Sequence, residues 1–460
     1  MTATSQVMTH SEPDAEAVEV RMPRLSSSQD RAAITRWFVE TGQTVAAGDV
    51  LAEVGAGHTT MELEADQDGT VAALLAPAGD DMIAAGAVIA RIAPAVDAEA
   101  ADATPTDPPA AMSSDSPGAT PADVADPPAG TASEASFADA LRAGLADAMR
   151  RDADVFVIGE SVADAARCSA VVTGLAGEFG AARVVGTPIT PHAVVGLAVG
   201  AAMAGLKPVV EVTAWALALQ ALDPIVSSGA KTRYRSGGQI GVPIVLRGRN
   251  GLWPGTGAMH SVSLASWFAS VPGLKVVCPA TPSCAKGLLL SAIADPDPVI
   301  ILEADALYDV VGTVPDSDAW RVPIGKARVA REGTDVTVVA YGHGVTVALD
   351  AAEQLANEGV NAEVVDLRTL RPLDMPAVLA SVRKTGRLLT LSDTVPACSI
   401  GAEICAAVAA QAFDALKAAP VRMDAADTIV PYAPNLEALV LPDAADVAAK
   451  ALRLAGQSRL

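Results

Sequence analysis

Aromatic and basic residues are both scarce in this chain of 460 residues. Aromatics make up 3% of the sequence while hydrophobic residues reach 51%, so Ala and Val fill most apolar positions. The chain has 32 Lys and Arg against 54 Asp and Glu, which gives a formal net charge of −22. This excess of acid argues against nucleic-acid binding, which depends on clustered basic side chains. Its simplest role is to keep the protein in solution.

Cysteines and long apolar runs are also few, which limits the compartments to consider. Five cysteines are scattered without a CxxC pair, so neither a disulfide framework nor a zinc site is predicted. The first residues are acidic and do not resemble a targeting peptide. The apolar run 193–206 is too short to cross a membrane. We therefore expect a cytoplasmic protein without a membrane anchor.

One segment has a composition unsuited to folding and divides the chain. Residues 95–134 are rich in Ala, Pro and Asp and contain no Lys, Arg or aromatic residue. Such a segment cannot bury enough apolar surface to fold, and its prolines keep it extended. We predict a disordered linker between a small N-terminal domain and a large C-terminal part.

The N-terminal part, residues 18–94, alternates apolar and polar residues in short runs broken by Gly and Asp, which predicts a small all-β domain. Its phrases TTMELEADQDGTVAALLAPAGD and TGQTVAAGDVLAEV resemble a lipoyl domain. In that family a lysine at a hairpin tip receives lipoate. Here His58 stands at the attachment position, and no lysine precedes Lys207. The resemblance therefore implies a lipoyl-like domain that carries no lipoate.

The large part alternates predicted strands and helices, beginning with the amphipathic helix FADALRAGLADAMRRD from residue 137. This alternation predicts a parallel, doubly wound α/β domain over 135–315 and a second α/β domain over 322–458. The predicted strands are Val155–Ile158, Val184–Val185, Pro208–Val212, Ile244–Leu246, Leu274–Cys278, Val299–Leu302, Val336–Ala340, Ala362–Asp366 and Arg387–Leu391.

Two motifs carry a family resemblance for the large part. The run RVVGTPITPHAVVGLAVGAAMAGLKPVVEV (183–212) and the motif VDLRTLRPLD (365–374) resemble the β subunit of the pyruvate dehydrogenase decarboxylase component, a relative of transketolase. The resemblance implies a thiamine-diphosphate pyrimidine-binding-type domain followed by a transketolase C-terminal-type domain. It also implies oxidative decarboxylation of pyruvate, with acetyl transfer to lipoyl groups.

The same resemblance implies partners. The family's Gly-Asp-Gly…Asn motif for Mg²⁺ and diphosphate is not found in this sequence. Thiamine diphosphate would therefore be shared with an α subunit that holds the Mg²⁺. The expected assembly is an α/β heterotetramer docked on the acyltransferase core of a 2-oxo acid dehydrogenase complex.

The sequence differs from the family pattern at the residue that activates the cofactor. The family pattern DTPITE places a glutamate that activates the cofactor, and Pro191 stands at that position here. Proline has neither a carboxylate nor an N–H group. His192 is the candidate substitute, although a neighbouring position points elsewhere, and a polar residue at a strand–helix junction is the favoured explanation.

Other site residues follow from the resemblance. His260, in GAMHSVS, matches the family histidine of the active-site channel, a suitable proton carrier near neutral pH. Leu217 replaces a phenylalanine that packs against the pyrimidine ring, and residues 163–173 lack the family's tyrosines. The residues expected around the cofactor are Glu160, Ile189, Trp215 and Leu217.

Three alternatives to a functional pyruvate dehydrogenase subunit stay open. The losses around the site are compatible with a catalytically degenerate paralogue that acts as a structural or interaction subunit. The segment RYRSGG (233–238) resembles branched-chain 2-oxo acid dehydrogenase β subunits. A transketolase-like synthase is weaker, since the diphosphate half of the site is missing.

Overall fold

The structure is a computed structural model that describes residues 17–23, 31–56, 59–79, 81–94 and 131–456. The chain divides into two compact units, Met1–Pro117 and Gly118–Leu460. His58 and most of the predicted linker lie outside the described residues.

The N-terminal unit is built from strands alone within its described residues. They form two four-stranded sheets with the orders β1-β8-β6-β3 and β5-β4-β2-β7. Ile34, Val54 and Ile89 are fully buried, and burial alternates along β2 from Ala32 to Ile34, which is the pattern of a sheet with one face on a core. The prediction of a small all-β domain is confirmed. Its strands are β1 (Val18–Arg21), β2 (Arg31–Trp37), β3 (Thr44–Val45), β4 (Val50–Ala56), β5 (Thr59–Glu64), β6 (Gly69–Leu74), β7 (Ile83–Ala84) and β8 (Val88–Pro94).

The second unit begins with a sheet of seven strands in the order β11-β10-β12-β13-β15-β14-β20. All neighbours pair in parallel except β14 and β20. The strands are β10 (Val155–Glu160), β11 (Val184–Thr187), β12 (Lys207–Ala214), β13 (Val245–Arg249), β14 (Lys275–Val277), β15 (Val299–Glu303) and β20 (Thr369–Arg371). The helices of this region are α1 (Phe137–Arg151), α2 (Leu175–Phe179), α3 (Pro191–Met203), α4 (Trp215–Ala218), α5 (Ala230–Arg235), α6 (Gly257–His260), α7 (Ala265–Ala269) and α8 (Pro282–Ala294).

Helices cover both faces of this sheet, as its apolar strands require. The first helix, α1, starts at the cap Ser136, whose hydroxyl accepts the Asp139 N–H, and buries Leu141, Leu145 and Met149 at helical spacing. This apolar stripe packs against α8 in one core cluster. Helix α3 belongs to the core cluster of the other face. The predicted doubly wound arrangement is therefore confirmed.

The C-terminal α/β region has a five-stranded sheet in the order β17-β19-β18-β21-β22. Its strands are β17 (Arg328–Arg331), β18 (Val336–Ala340), β19 (Ala362–Asp366), β21 (Leu388–Leu391) and β22 (Val421–Met423). Its helices are α9 (His343–Asn357), α10 (Met375–Thr385), α11 (Ile400–Gln411), α12 (Pro434–Glu437) and α13 (Ala444–Leu454). One core cluster contains residues of both α/β regions, and β20 extends the first sheet from the second region.

The structure corrects one boundary of the sequence analysis. Residues Ala132–Ser136 form strand β9, antiparallel to β16 (Val311–Pro315), so the predicted linker over 95–134 ends too late. The sequence ASEAS has little apolar character, and main-chain hydrogen bonds to β16 hold it in place. Each of the nine predicted strands of the large part overlaps an observed strand, with bounds that differ by up to three residues. Among the described residues, no helix is long and apolar enough to cross a membrane.

Candidate functional site

The carboxyl ends of four parallel strands bring most of the predicted site residues to one edge of the seven-stranded sheet. Glu160 ends β10 and pairs with Thr187, which ends β11. Helix α4 follows β12, and the loop bearing His260 follows β13. Ligands bind open α/β sheets outside the carboxyl ends of the strands, so this edge is the candidate site.

Pro191 is the first residue of α3, directly after the extended cap Thr190. Proline suits this position because the first helical N–H has no acceptor within the helix and the fixed backbone angle is already helical. No acidic residue lies in the first turn of α3. The substitution therefore keeps the strand–helix junction and removes the acidic group.

His192 is the second residue of the same helix and is exposed. Its Nδ1 lies 3.3 Å from the Gln220 carbonyl, which can only accept, so Nδ1 carries the proton and donates. Its Nε2 is then left as the nitrogen available to another partner.

His260 ends α6 and is oriented by a chain of stacked side chains. Its ring lies 5.7 Å from the ring of Trp253, and the Arg249 guanidinium lies 4.7 Å from Trp253 and 4.9 Å from Tyr308. Arg249 also donates to Asp305 at 2.6 Å. Cation–π contacts of this kind fix both ring planes. The position of His260 thus depends on β13 through Arg249.

The C-terminal region closes over the His260 loop. Gly257 has φ +51°, and a Cβ there would lie 2.7 Å from the ring of Tyr432, so glycine is required for the contact. The carboxylate of Glu437 accepts the Gly255 N–H at 3.2 Å. Both contacts come from the segment PYAPNLE (431–437), whose packing role was not predicted from sequence.

The four predicted cofactor-binding residues differ in how much of their surface is exposed to solvent. Ile189 is 70% exposed, and Leu217 and Glu160 are partly buried. Trp215 has no exposed surface: it packs against Phe268 with ring centroids 4.9 Å apart and donates to the Gly248 carbonyl at 3.1 Å. The structure therefore corrects the expectation that Trp215 lines the cofactor surface. Because it fills the core beneath α4, it supports the site only indirectly.

A buried ion cluster lies behind the edge and was not predicted from sequence. Arg247 is fully buried, donates from Nε to Glu303 at 2.6 Å, and pairs with Glu211 of the adjacent strand. Burial raises the pKa of Glu211, while the Arg247 charge opposes that rise. Removing one partner of such a buried cluster costs about 3–5 kcal/mol. The sequence signal for this cluster was the presence of charged residues in otherwise apolar strands, as in EVTA and LRGR.

Two orphaned polar atoms mark the edge as incomplete by itself. Thr187 Oγ1 and His260 Nδ1 are buried without a hydrogen-bond partner among the described residues. Buried polar atoms are normally satisfied, so a bound group at this edge could pair with both. Within the same described part of the chain, no cluster of His, Cys, Asp or Glu could hold a metal ion. These residues fit the uncharged half of thiamine diphosphate but offer no metal ligands and no acid at position 191.

Three family descriptions match this chain. "Transketolase, pyrimidine binding domain" matches residues 133–310, and "Transketolase, C-terminal domain" matches 325–447. "Biotin-requiring enzyme" matches residues 18–92. The large part is thus of the transketolase type, a group that uses thiamine diphosphate.

Curated relatives match two thirds or more of this chain. The pyruvate dehydrogenase E1 component subunit beta of Rhizobium meliloti is 44% identical over 448 residues, covering 94% of this chain and 97% of that protein. The mitochondrial subunit beta of Pisum sativum is 48% identical over 314 residues, covering 67% and 87%. The Drosophila melanogaster subunit is 46% identical over 312 residues, covering 67% and 86%.

A solved structure shares the fold. It is described as a split gene transketolase, inactive beta4 tetramer, and is 22% identical with a TM-score of 0.56, covering 72% of this chain and 100% of that one. This likeness shows the fold alone, whereas the sequence identities above show the family. The chain belongs to the family of pyruvate dehydrogenase E1 component β subunits.

Proposed function

We propose that this chain acts with an α subunit as the β subunit of a pyruvate dehydrogenase decarboxylase component. The observation that supports this most is the 44% identity over 94% of the chain to a named β subunit, since it spans both α/β regions and the N-terminal unit. The assembly would be a heterotetramer docked on an acyltransferase core. The branched-chain alternative has no support among the relatives named above, and a cytoplasmic location stays a prediction.

The candidate edge would supply the pyrimidine half of a shared cofactor site. Thiamine diphosphate, when bound, supplies a stabilised carbanion for decarboxylation. Thr187 and Glu160 end neighbouring strands and would hydrogen-bond a polar ring, while Ile189 and Leu217 would cover its apolar faces. The α subunit would hold Mg²⁺ and the diphosphate.

His260 would hold or move a proton in this site. Its Nδ1 is buried without a partner in the described part of the chain, and Trp253 fixes the plane of its ring. An imidazole near neutral pH can both donate and accept a proton. Its orphaned nitrogen is the atom we assign to that role.

Pro191 makes turnover slow under this proposal. A positioned acid–base group typically contributes about 10²–10⁴-fold in rate, and proline cannot supply one. His192 is the nearest replacement on this chain. It is the adjacent helical residue, however, so its side chain leaves α3 at a different angle, and its Nδ1 is engaged by Gln220.

We predict that Pro191→Glu raises pyruvate-dependent turnover by at least about 10²-fold over wild type, because it restores the carboxylate. The chain is co-expressed with candidate α subunits, and 2-oxo acid-dependent dye reduction is measured. Pro191→Gln is the matched control, since it removes the proline without introducing a carboxylate. A wild type that is as fast as Pro191→Glu would overturn the slow-turnover proposal.

The presence of Pro191 in place of the family's glutamate also supports a second candidate function, that of a non-catalytic subunit. If neither wild type nor Pro191→Glu turns over in a confirmed complex, the chain is a degenerate β subunit with a structural or interaction role. Leu217 and residues 163–173, which lack the family's aromatics, would then account for the loss.

We also predict that the N-terminal unit carries no lipoate, because His58 stands at the attachment position and lysine is absent before Lys207. The test is intact-mass measurement after co-expression with a lipoyl ligase. His58→Lys is the control that should gain one lipoyl group. A lipoyl increment on the wild-type unit contradicts the prediction.

A further inference from the structure

A cavity of about 140 Å³ lies where the two α/β regions meet, beside the loop that follows β13 at the candidate edge. Leu302 and Ala304, from β15 and the residue after it, line one side, and Val347, Leu391 and Leu441 of the C-terminal region line the other. Its walls are therefore mainly apolar. An apolar cavity of about 150 Å³ can hold benzene, so this one has room for about six heavy atoms.

One end of the cavity is polar and faces the start of a helix. Helix α9 has 15 residues, and its cap, Gly342, offers no side chain to the first N–H groups. Among them, the Gly344 and Val345 N–H groups donate at 3.1 Å to the Tyr341 and Gly342 carbonyls, and this end of the helix carries a partial positive charge. Gly342, His343 and Gly344 all line the cavity.

Two orphaned side-chain atoms lie at this same end. Tyr341 is 4% exposed and lines the cavity, and its hydroxyl makes no hydrogen bond of standard geometry among the described residues, although Ser392, Thr394 and Asp393 are near. His343 Nδ1 is also buried without a partner there. A ligand with a hydrogen-bond acceptor would satisfy both.

The charges around the cavity limit the classes of ligand that can bind there. Asp393 lines it, and none of its lining residues is Lys or Arg. Phosphates are disfavoured, because a multiply charged anion here would face a carboxyl group without a basic partner. One carboxylate is compatible, since it can share a proton with Asp393. Burial raises the pKa of Asp393, which helps it to hold that proton.

We propose that this cavity binds a short-chain aliphatic monocarboxylate of about six heavy atoms. Its chain packs against Leu302, Val347 and Leu391, and its carboxyl group meets Tyr341 and His343 at the positive end of α9. Asn250 and Leu252 also line the cavity, so it borders the loop that carries Trp253 and His260. The proposal concerns binding, and it stands whether or not the candidate site turns over.

The test uses the full-length chain without thiamine diphosphate or an α subunit. Butyrate, butyramide and butylammonium are titrated by saturation-transfer NMR. We expect saturable butyrate binding with a Kd on the order of 1 mM, and at least about 10-fold weaker binding of the other two. Equal binding of butyramide, tighter binding of butylammonium, or no saturation by butyrate at about 50 mM each overturns the proposal.

Variants locate the ligand. Tyr341→Phe should weaken butyrate binding about 10-fold, whereas Tyr234→Phe, the same change at a tyrosine that is 82% exposed, should leave it unchanged. Ala306 is exposed at the cavity wall, so Ala306→Trp obstructs the cavity without disturbing the core and should abolish binding. If Tyr341→Phe and Ala306→Trp bind like wild type, or if His192→Ala alone loses binding, the ligand lies elsewhere and the proposal fails.

Discussion

At the scale of single residues, position 191 meets the backbone requirement of its helix but not the chemical requirement of the family's site. Position 191 begins a helix, and proline meets the backbone requirement as well as any residue. Under the proposed function, activation of the cofactor needs a carboxyl group, which proline lacks. The replacement would therefore keep the strand–helix junction while removing the group on which turnover depends.

Asp366 gives a second residue-scale prediction, on pH and stability. Burial raises its pKa from 3.8 to about 6, against the opposing charge of Arg368. The ionised form is thus disfavoured in the folded state. The protonated Asp366 side chain therefore contributes fully to the free energy of unfolding below about pH 4. This contribution is lost as pH rises through about 6, and the change amounts to about 3 kcal/mol.

We therefore expect Asp366→Asn to gain about 3 kcal/mol in the free energy of unfolding, relative to wild type, between about pH 4 and pH 7. Urea unfolding at several pH values measures this difference. Asp309→Asn, at an exposed aspartate, is the control and should follow the wild-type pH profile. Parallel curves for wild type and Asp366→Asn would contradict the prediction.

At the scale of elements, the close spacing of β12 and β13 depends on one glycine. A Cβ on Gly248 would lie 1.8 Å from the carbonyl oxygen of Val212. The two strands must then separate, and the hydrogen bond from Trp215 to the Gly248 carbonyl moves with them. This pair of strands supports both α4 and the His260 loop.

We expect Gly248→Ala to lower the free energy of unfolding by about 3 kcal/mol, because overpacking between two strands has no room to relax. Thermal and urea unfolding of the isolated chain are the measurements. Gly200→Ala is the matched control: it lies in α3 with open space around its Cβ and should be neutral or stabilising by about 0.5–1 kcal/mol. Equal losses for both variants would show that the strand contact is not the cause.

At the scale of the whole molecule, the second unit exposes many large apolar side chains. Ile189, Leu197, Met259, Ile429 and Leu439 are between 60% and 77% exposed. Large exposed apolar patches mark surfaces that meet other proteins. Ile189 and Met259 belong to the segments that form the candidate edge, which is consistent with a cofactor site completed by a partner.

We predict that the co-expressed chain and α subunit sediment as a heterotetramer, since burying these side chains stabilises association. Leu197→Arg should weaken that assembly, as an unpaired buried charge is costly. Leu75→Arg, at a leucine that is 49% exposed in the N-terminal unit, is the control. A stable monomer in the presence of the α subunit would refute the prediction.

The sequence by itself indicated nine strands of the large part, their parallel α/β arrangement, and the family resemblance. Runs such as VFVI (155–158) and VIIL (299–302) are apolar throughout, so their local pattern indicates a strand buried on both faces. The motifs 183–212 and 365–374 are contiguous, so a resemblance can be detected without knowing any contact. The loss of the glutamate at Pro191 is visible for the same reason.

Only the tertiary structure decided how distant segments meet. Strand β9 is polar and forms because β16 supplies hydrogen bonds, and β20 joins a sheet whose other strands lie far before it in the chain. Trp215 was expected on the cofactor surface, but Phe268 and the Gly248 carbonyl hold it in the core. The contacts of Tyr432 with Gly257, and the cavity beside Tyr341, join residues separated by more than a hundred positions. Pairings of this kind depend on packing between elements, which no local pattern in the sequence encodes.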